Sequence, residues 1–183
     1  QLLSASKIFS YAGQRGALIV MSETLFEREF DGFKRRYGQG HFGRNLIHSI
    51  LYCQSAGVTH TVQYAMAAMF KAAADGSFNY IEAVKEYGRR AERVKEIMLR
   101  NGFHIVYDKD CDQDVADGFF FTFGYKDMTS EMLINKLIYY GVSAIPLSGT
   151  GSAREGLRGC TSNISEAQYD ELDKRLKLFS RDF

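Results

Sequence analysis

The feature that most constrains the fold of this chain is a long stretch in which apolar residues recur at helical spacing. They stand at every third or fourth position, at Ile81, Val84, Tyr87, Ala91, Val94 and Met98. This period predicts one long amphipathic helix, and Asn101 and Gly102, which follow it, form a typical helix stop. Because such a helix buries one stripe of its surface, other elements must supply a second layer for it to pack on.

The residues after this helix alternate between strand and helix patterns. The predicted elements are strands over 103–107 and 119–125, a helix over 132–140, short strands over 142–145 and 157–161, and a last helix whose apolar face is Tyr169, Leu172, Leu176 and Phe179. Aromatic residues alternate along the second strand, which indicates one buried face. Ser165 and Gln168 have capping-box spacing before the last helix. Residues 76–183 are therefore predicted to form a small α/β domain.

Residues 1–75 have a different character. The run 17–21 is continuously apolar, which is typical of a strand covered on both faces. The pattern over 46–74 is helical, and 62–74 is apolar on nearly every side, so we expect this helix to be packed inside a larger body. The sequence Asp-Gly-Ser at 75–77 interrupts the pattern and is the predicted domain boundary.

Two local predictions concern the segment between these elements. Thr24 and Glu27 have the spacing of a capping box, which indicates the start of a short helix. Residues 31–44 are polar and rich in glycine and arginine, and we expect them to form a loop.

Composition narrows the class of protein. Hydrophobic residues make up 45% of the 183 residues and charged residues 25%, which is a globular composition. A net charge of +1 gives no indication of nucleic acid or an anionic membrane as partner, and no apolar stretch approaches the ~20 residues of a membrane span. Cys53, Cys111 and Cys160 include no Cys-x-x-Cys pair, which fits the reducing cytoplasm. The histidines lack metal-ligand spacing, so no metal site is predicted.

The segment from Ser4 to Arg15 carries the most reactive combination of groups. Lys7 stands there among small and apolar residues, and burial would favour the neutral amine that attacks an aldehyde. The hydroxyls of Ser4 and Ser6 and the guanidinium of Arg15 are donors suited to a phosphate. From the residues alone, the alternative is a surface lysine and arginine on either side of a turn.

This segment resembles the cofactor-lysine signature of fold-type I pyridoxal-phosphate enzymes, most closely the class I/II aminotransferases. The residues that match are Ser4, Ser6, Lys7, Ser10, Gly13 and Arg15. Tyr11 stands where the family has an aliphatic residue, and Gly16 departs in the same way. The resemblance covers the whole chain but only the C-terminal portion of the family. It implies the end of the large cofactor-binding domain over 1–75, followed by the small C-terminal α/β domain over 76–183.

The resemblance also implies a site. Lys7 would form a Schiff base with pyridoxal 5'-phosphate, and Ser4 and Arg15 would hold the cofactor phosphate. Arg158, in the sequence Leu-Arg-Gly-Cys, would bind the α-carboxylate of the substrate, which a planar guanidinium grips bidentately. From the residues alone, an ordinary strand arginine is the alternative for Arg158, and Arg154 is a nearby competitor.

The implied activity is transfer of an amino group between an amino acid and a 2-oxo acid, carried out by a cytoplasmic homodimer. In the family, the aspartate at the pyridine nitrogen and three further cofactor contacts precede the lysine, whereas six residues precede Lys7 here. Because the protonated ring nitrogen is what stabilises the carbanion, we expect this chain alone, as a fragment, to be inactive.

Other functions remain open at this point. The same lysine signature serves pyridoxal-phosphate acyltransferases, lyases and decarboxylases, and assays of reaction type would separate them. A non-catalytic relative with the same fold is a second alternative. A self-contained small α/β binding protein is the third, but the apolar residues near the start of the chain argue against it.

Overall fold

Helices and short antiparallel strands build this chain, so the fold is mixed α/β, as the sequence predicts. The structure, a computed structural model, describes residues 1–116 and 118–183. The chain divides into two compact units, Gln1–Tyr80 and Ile81–Phe183. Within the described residues, no helix is both long enough and apolar enough to cross a membrane.

The first unit begins with a hairpin and continues as helices. Its elements are β1 (Leu2–Ser4), α1 (Ala5–Ile8), a 3-10 turn (Ala12–Gln14), β2 (Ala17–Ile19), α2 (Glu23–Glu27), α3 (Asp31–Tyr37), α4 (Phe42–Arg44), a π-helix (Asn45–Tyr52), α5 (Cys53–Ser55) and α6 (His60–Ala74). Strands β1 and β2 pair antiparallel, with Leu3 opposite Leu18. Ala5, Val62 and Met66 form the buried cluster of this unit, so α6 packs beneath the hairpin end.

The prediction of a loop over 31–44 is wrong, because aromatic packing folds this segment into α3 and α4. The ring of Phe30 lies 5.7 Å from that of Phe33 and 5.9 Å from that of Phe42. Phe33 and Phe42 are stacked with their centroids 5.9 Å apart. Gly38, with φ +79°, ends α3 in the left-handed region.

The predicted cap of α2 is also wrong by two residues. The N-cap is Ser22, which has extended backbone angles, and its hydroxyl accepts a hydrogen bond from the Leu25 N–H at 3.3 Å. Thr24 lies inside the helix. Both residues are good cap formers, and the backbone angles at Ser22 decide between them.

The long helix predicted over 46–74 is interrupted. Ala56 and Gly57 both have positive φ, 53° and 92°, which separates α5 from α6. Within α6, Val62 and Met66 are the buried residues, so the described residues leave most of this apolar helix uncovered.

Strand β2, within the apolar run 17–21, is exposed as well. Leu18 and Ile19 are 39% and 42% exposed, so the strand is not covered on both faces by the described residues. A two-stranded hairpin has little surface on which to bury its side chains.

The second unit packs three helices on one antiparallel sheet. Its elements are α7 (Tyr80–Arg100, which begins at the last residue of the first unit), β3 (Phe103–Ile105), β4 (Lys109–Asp110), β5 (Gln113–Asp114), β6 (Phe120–Tyr125), α8 (Ser130–Tyr139), β7 (Ile145–Pro146), a 3-10 turn (Leu147–Thr150), β8 (Leu157–Cys160), a second 3-10 turn (Glu166–Gln168) and α9 (Tyr169–Asp182). The main sheet has the strand order β3-β6-β8-β7, and β4 pairs with β5 separately.

Helix α7 confirms the prediction from its apolar period. Ala91, Val94 and Met98 are buried, whereas Ile81 in the first turn is 54% exposed. The helix ends where predicted, because Gly102 takes a φ of +84° and its N–H donates to a carbonyl of the last turn.

The remaining strands and helices of the second unit are close to their predicted positions, with one exception. The strand predicted over 142–145 lies later, at β7, because Val142 closes the turn after α8 by donating its N–H to Leu137 O at 3.1 Å. Ser165 and Gln168 form the predicted capping box.

The core of the second unit is aromatic, and Phe179 of α9 lies at its centre. Phe179 is fully buried, and its ring centroid is 5.5 Å from Phe103, 5.0 Å from Tyr125 and 5.4 Å from Tyr140. Rings at these separations add edge-to-face attraction to their burial.

We predict that Phe179→Ala lowers the free energy of unfolding by about 3–5 kcal/mol, because it empties a closed aromatic site. Leu178→Ala is the matched control, since Leu178 is the preceding residue and is exposed, and it should cost about 0.5 kcal/mol or less. Urea denaturation followed by circular dichroism measures both. Equal losses for the two variants would contradict this account of the core.

Asp173 links α9 to the end of α7. Its carboxylate accepts hydrogen bonds from Arg100 Nε at 2.9 Å and Asn101 Nδ2 at 2.7 Å, and Lys177 Nζ lies 2.8 Å away. Burial raises the pKa of Asp173, but the hydrogen bonds from Arg100, Lys177 and Asn101 outweigh it and hold the pKa well below its usual range.

We predict that Asp173→Asn destabilises the protein by about 2 kcal/mol at pH 7, the scale of hydrogen bonds to a charged group. Because the pKa of Asp173 is lower in the folded state, its stabilisation is complete above the unfolded value of about 3.9 and is lost as the pH falls further. The difference between wild type and variant should therefore narrow between about pH 4 and pH 2. Exposed Asp170, on the same helix, supplies the control Asp170→Asn, which should change stability little at either pH.

Candidate functional site

The connection between β1 and β2 carries the residues predicted to hold a cofactor. It runs from Ala5 to Gly16, and the Ala5 N–H closes its base by donating to Gly16 O at 3.2 Å. Within it, the N–H groups of Phe9 and Tyr11 both donate to Ala5 O, at 3.1 and 3.0 Å. Backbone hydrogen bonds that converge on Ala5 thus define the shape of this lysine loop.

The three predicted cofactor ligands lie in the lysine loop or at its start. Lys7, on α1, has an exposed side chain, so the prediction of a buried lysine is wrong. Ser4 is half-buried at the N-cap of α1, and its hydroxyl caps no amide of that helix. Arg15 has a φ of +56°, and its Nη1 donates to Ala12 O at 3.0 Å. No carboxylate in residues 1–116 and 118–183 pairs with Arg15.

Gly16 is one of the two departures from the family pattern. Close packing explains why this position has no side chain. A Cβ atom at this position would lie 2.7 Å from Val62 Cγ1 and 2.9 Å from Met66 Sδ. Both distances are too short for non-bonded atoms, so the end of the lysine loop rests directly on α6. A side chain here would push the loop away from the helix.

We predict that Gly16→Ala loosens the hairpin, at a cost of about 1–3 kcal/mol for overpacking. Amide hydrogen exchange of residues 2–19 should become at least about fivefold faster, because local opening is then easier. Gly13→Ala is the control, since its Cβ would meet no atom within 4 Å, and exchange should stay close to wild type. If Gly13→Ala has the larger effect, α6 is not what positions the loop.

The predicted carboxylate ligand Arg158 lies in the second unit, on strand β8. It stands opposite Thr122 of β6 and Ile145 of β7. Its neighbour Leu157 is buried in the core, so alternation places Arg158 on the other face of the sheet. Its guanidinium lies 4.5 Å from the ring centroid of Phe120, a distance suited to a cation–π contact.

The competing residue, Arg154, lies in the exposed loop before β8. Its Nη1 donates to Val106 O at 2.8 Å, and its guanidinium lies 4.7 Å from the ring centroid of Tyr107. Neither Arg154 nor Arg158 forms an ion pair with a carboxylate among the described residues. Arg154 is therefore held by backbone and aromatic contacts, and Arg158 by an aromatic contact.

Tyr107 and Ser152 lie beside Arg154, and no sequence motif indicates either of them as a site residue. The Tyr107 hydroxyl and Ser152 Oγ are 2.7 Å apart, and Ser152 Oγ accepts a hydrogen bond from the Arg154 N–H at 3.0 Å. Tyr107 and Ser152 are 45 positions apart in the chain. A contact over that separation leaves no local pattern by which the sequence could reveal it.

No model of a known protein family matches the chain, and no curated protein sequence matches it significantly. Among residues 1–116 and 118–183, no three His, Cys, Asp or Glu side chains are grouped so that they could hold a metal ion.

Proposed function

We propose that this chain contains the cofactor lysine and phosphate ligands of a pyridoxal-phosphate-dependent aminotransferase, which moves an amino group between an amino acid and a 2-oxo acid. The observation that supports this most directly is the lysine loop. This closed connection carries an exposed amine and a guanidinium without a carboxylate partner among the described residues, and the strand residue before it carries a hydroxyl that caps no helix amide.

The donor set in this loop suits the cofactor. A guanidinium and a hydroxyl are strong donors to a phosphate, and we assign Arg15 and Ser4 to that role. The amine of Lys7 is the group that bonds to an aldehyde. The left-handed backbone at Arg15 and the hydrogen bonds to the backbone of Ala5 set the course of the main chain that carries these groups.

When bound, pyridoxal phosphate supplies an electron-withdrawing ring that stabilises negative charge at the α-carbon of the substrate. Lys7 would hold the cofactor covalently. Once released by the substrate amine, Lys7 Nζ would act as the general base that takes the proton from the α-carbon. The side chain of Lys7 is exposed.

In the second unit, we assign Arg158 to the α-carboxylate of the amino acid or 2-oxo acid. A planar guanidinium binds a carboxylate through two parallel hydrogen bonds, and such a grip fixes the direction of the bonds at the α-carbon. The ring of Phe120 supports one side of the guanidinium, and no described carboxylate neutralises it. These observations favour Arg158 over Arg154, which already donates to a backbone carbonyl.

The proposal predicts where the cofactor attaches. Incubation with stoichiometric pyridoxal phosphate, borohydride reduction and peptide mapping should place the label mainly on Lys7, because nearby phosphate ligands raise the local occupancy of the aldehyde. Lys7→Arg should remove most of the label. Lys71→Arg is the control, since Lys71 is exposed in the same unit and pairs with Asp75.

The phosphate contact is tested in the same experiment with pyridoxal, which has no phosphate. Arg15→Ala should reduce labelling by pyridoxal phosphate about tenfold, the scale of one lost charge-assisted contact, and leave labelling by pyridoxal unchanged. Arg28→Ala, at an exposed arginine of the same unit, should change neither. Labelling spread evenly over the lysines would contradict the proposal.

A further inference from the structure

The main sheet of the second unit has an outer face that its helices do not cover. Phe121, Phe123 and Leu157 point into the core, and their strand neighbours therefore point outward. Among those neighbours, Phe120 is 39% exposed and Arg158 is half-buried. This outer face carries polar groups at its centre, where a sheet packed against a further layer would carry apolar ones.

One group of side chains in the loops beside this sheet is held in place around Tyr107. The Arg154 guanidinium lies 4.7 Å from the Tyr107 ring centroid, and Arg154 Nη1 donates to Val106 O at 2.8 Å. Ser152 Oγ lies 2.7 Å from the Tyr107 hydroxyl and accepts from the Arg154 N–H at 3.0 Å. We call Tyr107, Ser152 and Arg154 the loop triad.

Thr122 connects the loop triad to Arg158. Its Oγ1 accepts a hydrogen bond from the Tyr107 N–H at 2.9 Å, and its carbonyl accepts one from the Val106 N–H at 3.1 Å. On its other side, Thr122 is the register partner of Arg158. Thr122 thus lies between Arg158, its partner on β8, and Val106, whose carbonyl accepts from Arg154.

The carboxylate nearest to Arg154 in sequence is occupied elsewhere. Glu155 Oε2 accepts hydrogen bonds from both the N–H and the hydroxyl of Ser130, each at 2.6 Å, at the start of α8. Both arginines lack a carboxylate partner within the part of the chain that the structure describes. Most surface arginines of this unit, such as Arg93 and Arg175, do have one.

We propose that the outer face of this sheet binds a small dicarboxylate, with one carboxylate on Arg158 and the other on the loop triad. Arg154 offers its remaining N–H groups, and the bonded pair of Tyr107 and Ser152 offers the one hydroxyl proton that is not used between them. The inference rests on the proposed function only for the assignment of one carboxylate to Arg158.

The guanidinium groups of Arg154 and Arg158 favour a ligand that carries two linked carboxylates. Once one carboxylate is bound, the second is present at a high effective concentration, so a dicarboxylate of suitable length binds more tightly than either acid alone. The loop triad is held by contacts within the protein before any ligand arrives, which limits the entropy lost on binding.

The test is a titration of the chain with acetate, butyrate, malonate, succinate, glutarate and adipate at constant ionic strength, followed by the NMR signals of the arginine Nε–H groups. We expect the best dicarboxylate to bind at least about tenfold more tightly than butyrate. Arg154→Gln should lower the affinity for the best dicarboxylate to about the affinity for butyrate. Ser152→Ala should reduce the advantage without altering the charge. Arg93→Gln is the control and should change nothing, because Arg93 is exposed on α7 and paired with Glu96.

Three results would overturn the inference. They are equal binding of dicarboxylates and butyrate, a dicarboxylate advantage that survives Arg154→Gln, and tighter binding of inorganic phosphate than of every dicarboxylate. The outcome is separable from the proposed function, because labelling of Lys7 is measured in the first unit. If Lys7 is not labelled while Arg154→Gln removes the dicarboxylate advantage, the proposed function fails and the dicarboxylate site stands.

Discussion

The alternation of side chains along β6 and β8 is the constraint on which the second unit depends. It places Phe121, Phe123 and Leu157 in the core and leaves Thr122 and Arg158 on the outer face. Because the period of a strand is two residues, a slip of one position would bury Arg158 and expose Leu157. Burial of an arginine without a partner costs several kcal/mol. The same register that stabilises the core therefore fixes the position of the arginine.

The first unit depends on a single close approach. Gly16 brings the end of the lysine loop onto Val62 and Met66 of α6, and Ala5 completes the buried cluster. These contacts hold the main chain at both ends of the loop, while Lys7 and Arg15 between them remain exposed. A loop anchored at its base with reactive groups outside is a common arrangement for binding residues.

Strong periodicity made much of the second unit predictable. The apolar period of α7, the alternation in β6 and the capping box before α9 all correspond to the structure, because each is a local signal that packing reinforces. The segment 31–44 was not predictable in this way, since its helices depend on contacts among Phe30, Phe33 and Phe42. Scattered aromatic residues have no period of their own.

The residues of the candidate site also fall into those that the sequence indicates and those that it does not. Lys7, Arg15 and Arg158 stand out because a short motif or a strand position identifies them, and the exposure of Lys7 could not be predicted from its small neighbours. The loop triad was beyond the sequence, because Tyr107 meets Ser152 over 45 positions.

The two units also differ in how much a ligand can change them. The buried cluster of the second unit holds twelve of the described residues, whereas that of the first holds Ala5, Val62 and Met66. A small apolar cluster contributes little to stability. A ligand that binds the folded state at about 100 times its Kd adds about 2.7 kcal/mol, which is large beside such a cluster and small beside an aromatic core. A ligand of Ser4, Lys7 and Arg15 would therefore order the part of the chain that holds it, whereas a ligand of the outer sheet face would meet a surface whose shape the core has already set.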